Sequence, residues 1–145
     1  LLQQMMVGMR LCDSTGRVRV GVALEHALLN AICWGNLALG PDEMPKAREL
    51  RIQGHLPGIL QQRLSQSPYK DRKVYIDVAM TTEEARYVVR DEGDGFDVSK
   101  VPDPGDADVL EREGGRGLLL MQTFMDEVRF NPTGNEVTMI KRREA

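Results

Sequence analysis

The hydrophobic period of the chain changes at Lys73, and this constrains the fold more than any other feature. Before it, apolar residues recur at three- and four-residue intervals. Leu2, Met5, Met6 and Met9 mark a helix over Leu1 to Leu11, and Val18, Val22, Leu29 and Ile32 mark one face of a longer helix over Thr15 to Gly35. Asp13-Ser14-Thr15 offers capping side chains at the start of the longer helix, and Gly35-Asn36 is a stop signal at its end. Gly40-Pro41-Asp42 and Pro45 break the chain ahead of a third helical stretch, Lys46 to Ser65, which Pro57-Gly58 interrupts or splits. After Lys73 the pattern alternates. Val74, Ile76 and Val78 interleave with Tyr75, Asp77 and Ala79, then Thr81-Thr82-Glu83 turns into Ala85 to Arg90, which gives two antiparallel strands. Asp97 to Gly117 is rich in Pro, Asp and Gly and reads as a long surface loop. A short helix from Leu118 to Met125 follows, then strands over Glu127 to Asn131 and Glu136 to Arg142 around the Pro132-Thr133-Gly134-Asn135 turn. The expected class is α+β, a two-layer sandwich in which a mixed, mostly antiparallel sheet carries helices on one face.

With 145 residues, 41% hydrophobic and 28% charged, the chain has the balance of one soluble domain that can enclose a core. A net charge of -3 argues against nucleic-acid binding, since phosphate recognition shows as clustered Lys and Arg. The basic run Lys141-Arg142-Arg143 reads as a solvated strand end. Cys12 and Cys33 form no CxxC pair, and with His26 and His55 they show no zinc-like spacing. Reduced thiols and a cytoplasmic location are expected. No stretch approaches the roughly 18 apolar residues of a membrane span, and Leu1-Leu2-Gln3-Gln4 lacks a signal-peptide pattern. Because the chain starts inside a helix and without Met, a longer signalling protein with an upstream sensor or receiver domain is expected. Met5, Met6, Met9, Met121 and Met125 lie at helical spacing and are expected in the core.

Three features carry chemistry. Asn30 sits inside an apolar helix, where its amide costs free energy unless satisfied. Its carbonyl oxygen is a hard ligand suited to Mg²⁺, or else a structural acceptor. His26 lies one turn earlier on the same face, whereas Glu25 is rotated away. Asp91-Glu92-Gly93-Asp94-Gly95-Phe96 follows an apolar strand directly. A carboxylate held at that strand end can accept the exocyclic amine of adenine, and Gly93 and Gly95 let backbone approach a flat base. The same run also reads as an acidic turn or a cation-binding loop, although it lacks the alternate carboxylates of an EF-hand. Gly114-Gly115-Arg116-Gly117-Leu118 opens the last helix, where free N–H groups and the helix dipole favour a phosphate, or where glycines serve as a hinge.

The order of these features, an Asn on a helix, an acidic-glycine strand end about sixty residues later, a long loop and a glycine-rich helix start, resembles the GHKL superfamily. That superfamily comprises gyrase, the ninety-kilodalton heat-shock chaperones, histidine kinases and the MutL proteins. The resemblance covers nearly the whole chain. Ala23 to Ile32, and Gly115-Arg116-Gly117-Leu118 followed by Met121 and Phe124 to Val128, look like the anti-sigma-factor serine/threonine kinase branch.

The resemblance implies the Bergerat ATP-binding fold, with ATP and Mg²⁺ as cofactors. Asn30 would ligate Mg²⁺, Asp91 with Gly93 and Gly95 would hold adenine, and residues 97–117 would form a lid with Gly115 and Gly117 near the phosphates. Arg116 would add a charge-assisted phosphate contact. Where this branch carries Glu four residues before the Asn, this chain has His26, whose imidazole can serve as a general base near neutrality, bind a phosphate or fill space. Thr138 is offset from the Thr that the family often carries in its final strand. Two functions are consistent with this reading. One is a protein kinase that phosphorylates a partner such as an anti-sigma-factor antagonist. The other is an ATP-gated module that captures a sigma factor or another protein without phosphorylation, and a homodimer is compatible with either.

Overall fold

The computed structural model describes residues 13–39, 58–100 and 115–143. Helix α1 (Ser14–Leu29) begins where Asp13, in extended conformation, accepts the Gly16 amide on its carboxylate at 2.8 Å. This satisfies one of the four amides that a helix start leaves open. From Asn30 to Asn36 the helix continues in π geometry, and the amide of Leu37 reaches back five residues to the carbonyl of Ile32 at 2.9 Å. Helix α2 (Gly58–Leu64) and a single 3-10 turn, Tyr69–Asp71, lead to strands β1 (Tyr75–Met80) and β2 (Glu84–Arg90). Another 3-10 turn, Val98–Lys100, precedes the undescribed residues, after which come α3 (Gly115–Phe124), β3 (Glu127–Phe130) and β4 (Glu136–Arg142).

The strands form one sheet in the order β1-β2-β4-β3, with every described pair antiparallel. Alternation along β2 buries Ala85, Tyr87 and Val89 against α1 and α3, and leaves Arg86 and Arg90 on the opposite, exposed face. Val137 and Met139 pair with Val89 and Tyr87 and extend the buried face across β4. Helices on one face of an antiparallel sheet are the α+β arrangement that the period change at Lys73 implies.

The face that α1 buries differs from the expected one. Val18 is 57% exposed and Ile32 39%, while Val22 and Leu29 are half-buried. The buried stripe is Gly16, Val20, Ala23, Leu24 and Ala27, continued by Ala31. These residues are also spaced at three and four, but they are mostly small. Small side chains let the helix axis approach the large Tyr87, Met121 and Met139 side chains, so the stripe with less apolar bulk turns inward. A second correction concerns α3, which starts at Gly115 and takes Gly115 to Gly117 out of the expected surface loop. Met121 and Met125 are in the core as expected. The first helix with Met5, Met6 and Met9, the expected helix before Gly58, Cys12, His55 and most of the loop after Lys100 lie outside the described residues.

The small-residue stripe yields a test. Ala27→Leu must displace atoms between α1 and the sheet, and a loss of about 1–3 kcal/mol in urea unfolding is expected. Val18→Ala, on the exposed face, is expected to change stability by no more than about 0.5 kcal/mol. The reverse ranking would restore the original face.

Candidate functional site

The acidic-glycine motif is seated between a turn below and the end of the first helix beside it. Below, Asn131 accepts the amides of Gly134, Asn135 and Glu136 on its Oδ1 at 2.8, 3.0 and 3.2 Å, which shapes the β3–β4 turn. That turn accepts the Asp91 amide on the Asn135 carbonyl at 2.9 Å and the Phe96 amide on the Thr133 carbonyl at 3.2 Å. Gly95 adopts a φ of +79° there, and a Cβ would overlap the Thr133 carbonyl, so both conformation and space require glycine. Phe96 meets Phe130 edge to face at 5.1 Å between ring centroids.

Beside the motif, the end of the π segment closes on Asp91. Gly35 has no side chain, and a Cβ there would overlap the Asp91 carboxyl group, while a Cβ on Gly93 would overlap the Gly35 carbonyl. Asn36 accepts the Glu92 amide on its Oδ1 at 2.7 Å, and Asp91 accepts the Gly93 amide on its own Oδ1 at 2.8 Å. The Glu92 carboxylate in turn accepts the Lys73 amide at 2.6 Å. Two arginines hold the helix end from the other side: Arg72 donates to the Asn36 carbonyl at 2.8 Å and Arg63 to the Leu37 carbonyl at 3.0 Å. Both guanidinium groups lie over the Tyr69 ring, at 5.2 and 4.8 Å from its centroid. Carbonyls that a helix C-terminus leaves without partners are thus taken up by side chains distant in sequence.

Asp91 is 8% exposed. Burial raises its pKa above the ordinary carboxylate value, and the Gly93 amide and the Arg72 charge partly oppose that rise. Cys33, three residues after Asn30, is buried, and its thiol is pushed up to about 11, which leaves it protonated at neutrality and no nucleophile.

His26 and Asn30 are both half-buried at the margin of the inward stripe, and the Asn30 amide donates to the carbonyls of His26 and Ala27. Asn30 is the residue at which α geometry gives way to π, and Gly35 follows it by the five residues of a π hydrogen bond. Asp91, Gly93 and Gly95 lie together between the end of the π segment and the β3–β4 turn. Gly115, Arg116 and Gly117 form the first turn of α3. Among the described residues no three His, Cys, Asp or Glu side chains gather in a way that could hold a metal ion, and no helix is long and apolar enough to cross a membrane. Gly35, Asn36 and Arg72 were not foreseen as site residues. Gly35-Asn36 was legible only as a helix stop, and Arg72 carried no signal.

The chain matches the family model of a histidine kinase-like ATPase domain over residues 2–141. It belongs to that family. No curated protein and no solved structure matches the chain. The four-stranded sheet with helices on one face agrees with the family's fold, and membership makes this an ATP-binding domain of signalling type.

Two outcomes follow for this ATPase domain. Gly35→Ala and Gly93→Ala each force apart the helix end and the strand end, and each is expected to cost about 1–3 kcal/mol in denaturant unfolding. Their combination should cost less than the sum, because the first displacement makes room for the second. The second outcome concerns pH. A folded-state pKa above the unfolded value means that protonated Asp91 contributes stability at acid pH, and that this contribution is lost as pH rises through the raised value. Asp91→Asn stays neutral and keeps an oxygen for the Gly93 amide. Its stability relative to the parent should therefore climb with pH from below the ordinary carboxylate value and level off above the raised one. A difference independent of pH would contradict the desolvated carboxylate.

Proposed function

We propose that the domain binds ATP with its adenine at Asp91 and transfers the γ-phosphoryl group to a Ser or Thr hydroxyl of a protein partner, in the manner of an anti-sigma-factor kinase. The observation that carries the adenine assignment is the state of the Asp91 carboxylate. One oxygen is held by the Gly93 amide, and among the described residues no donor is bonded to the other. A nearly buried acceptor without a partner is costly, and an exocyclic amine removes that cost. Glycine backbone at Gly93 and Gly95 adds no side chain on the base's approach.

For the phosphate end, Asn30 supplies an amide oxygen beside His26. A Mg²⁺ that travels with a triphosphate needs only one or two protein ligands, so Asn30 can serve as its ligand although the described residues hold no cluster of three His, Cys, Asp or Glu side chains. The contact of Arg19 with the Phe124 ring, at 5.9 Å, sets the end of α3 beside the start of α1. This favours an antiparallel run that carries Gly115 and Gly117 toward Asn30, where the first-turn amides of α3 suit phosphate oxygens. Arg116 is assigned a phosphate contact from that same turn. In the transfer, the partner's hydroxyl oxygen forms a bond to the γ-phosphorus, the bond to the departing ADP oxygen breaks, and His26 takes the hydroxyl proton. Residues 97–117 are the proposed lid, with its last three residues in α3.

The substitution at His26 favours a second reading. With imidazole where a carboxylate is expected, the nucleotide can gate the capture of a sigma factor or another partner without any transfer. In either case the partner is protein, the compartment is the cytoplasm, and a homodimer is compatible.

Titration calorimetry with ATP and Mg²⁺ should show binding by the parent and a loss of at least about tenfold in Asp91→Asn, the effect of one buried hydrogen bond. Absence of heat with the parent, or equal affinity in the variant, would sink the adenine assignment. Transfer of radiolabel from ATP to a purified antagonist-like protein separates the two functions. The kinase reading expects incorporation by the parent and none by His26→Ala; incorporation by His26→Glu alone would establish the gated module.

A further inference from the structure

We infer that Asn36 is a second base-reading side chain of this site, donating from its amide nitrogen to an adenine ring nitrogen that flanks the amine accepted by Asp91. This rests on the adenine role proposed for Asp91.

The two side chains are used in the same way. Successive amides of the motif, those of Glu92 and Gly93, are taken by the Oδ1 atoms of Asn36 and Asp91 at 2.7 and 2.8 Å. Each side chain is thereby fixed at one atom and has one polar atom left over, Nδ2 on Asn36 and Oδ2 on Asp91. Among the described residues neither leftover atom has a hydrogen-bond partner, and neither is fully sealed from solvent. Asn36 is only 5% exposed, so an amide nitrogen without a partner is as unusual there as the open oxygen of Asp91. The backbone of Gly35 packs directly against the Asp91 carboxyl group, which makes the two residues neighbours across the contact between helix and strand.

One donor beside one acceptor matches the edges of adenine, where the exocyclic amine donates and the adjacent ring nitrogen accepts. A base with a carbonyl in place of the amine presents two acceptors, or a reversed order, and leaves one of the buried groups unsatisfied. The orientation of Asn36 is set independently of any ligand. Its Oδ1 must face the Glu92 amide, which leaves the nitrogen on the other branch of the amide, and its carbonyl is held by Arg72. Asn36 is thus a specificity-determining residue and takes no part in transfer.

The test compares ATP with 1-deaza-ATP and 7-deaza-ATP, each of which replaces one flanking ring nitrogen with C–H. Calorimetric affinities are measured on the parent, on Asn36→Asp and on Asn36→Ser. Asn36→Asp keeps an oxygen that accepts the Glu92 amide and replaces the donor with a charged acceptor, a change in charge that acts on all three nucleotides alike. Asn36→Ser places a short hydroxyl that cannot reach the base, and serves where Asn36→Asp fails to fold. The parent should bind one of the two analogues about tenfold or more weakly than ATP, and this discrimination should vanish in the Asn36 variants. A general loss of stability would lower all three affinities and leave their ratio intact. If ATP binds and Asp91→Asn abolishes binding, but parent and Asn36 variants discriminate alike, this inference falls and the role of Asp91 stands. If the parent binds no ATP, both fall.

Discussion

The close approach of Gly35 to the Asp91 carboxyl group organises the rest of the molecule. A helix end and a strand end meet with no side chain between them, since Gly35 presents only backbone to Asp91 and Gly93 presents only backbone to Gly35. The approach desolvates the carboxylate, and the rise in its pKa records that cost. The structure opposes the cost with one amide and the charge of one guanidinium, and among the described residues no ion pair closes around the group. A carboxylate fully paired by Arg72 would be more comfortable but would have no acceptor to offer a ligand. The site is therefore destabilised to a limited degree in a direction that a nitrogen donor can relieve.

The π segment sets this contact in place. In an α-helix the inward stripe of Ala23, Ala27 and Ala31 would continue at Trp34 and Gly35. The buried positions after Ala31 are instead Cys33, Asn36 and Leu37, and the step of five from Ala31 to Asn36 is the π repeat. The extra residue turns Asn36 inward onto the Glu92 amide while Asn30 stays in the α frame, one turn after His26. An α-helix of the same sequence would carry the side chain of Asn36 past the strand end.

Most of the framework was legible because it depends on local chemistry. Asp13 caps the helix, alternation from Val74 to Arg90 gives two strands, and the Pro132 to Asn135 turn joins two more. The inward face of α1 is set by fit to the sheet and not by side-chain bulk, which the periodicity alone does not encode. Val18 and Ile32 are more hydrophobic than Ala23 and Ala27, yet it is the alanines, with Val20 and Leu24, that join the buried cluster of Tyr87 and Met139. At the site, Asp91, Gly93 and Gly95 announced themselves as a local motif. Gly35 and Asn36 did not, since a Gly-Asn pair is fully explained by the end of a helix. The bond from the Glu92 amide to Asn36 spans 56 residues, and no local pattern encodes it. The same holds for Arg72, whose tie to the Asn36 carbonyl crosses 36.

Because one continuous helix carries His26 and Asn30 ahead of Gly35 and Asn36 at its end, the contacts proposed at the base and at the phosphates would not move independently. Rotating the helix to optimise one end would turn the other by the same angle, apart from the give in the π turns between them. The clamp of Arg63 and Arg72 on the last carbonyls, stacked on Tyr69, restrains that rotation. A nucleotide with its adenine seated at Asp91, as proposed, would therefore meet an Asn30 carried on the same helix, whose end is already held by the Arg63 and Arg72 clamp. In the proposed transfer the deciding side chain would be His26, whose backbone carbonyl accepts the Asn30 backbone N–H and whose imidazole lies one turn before Asn30.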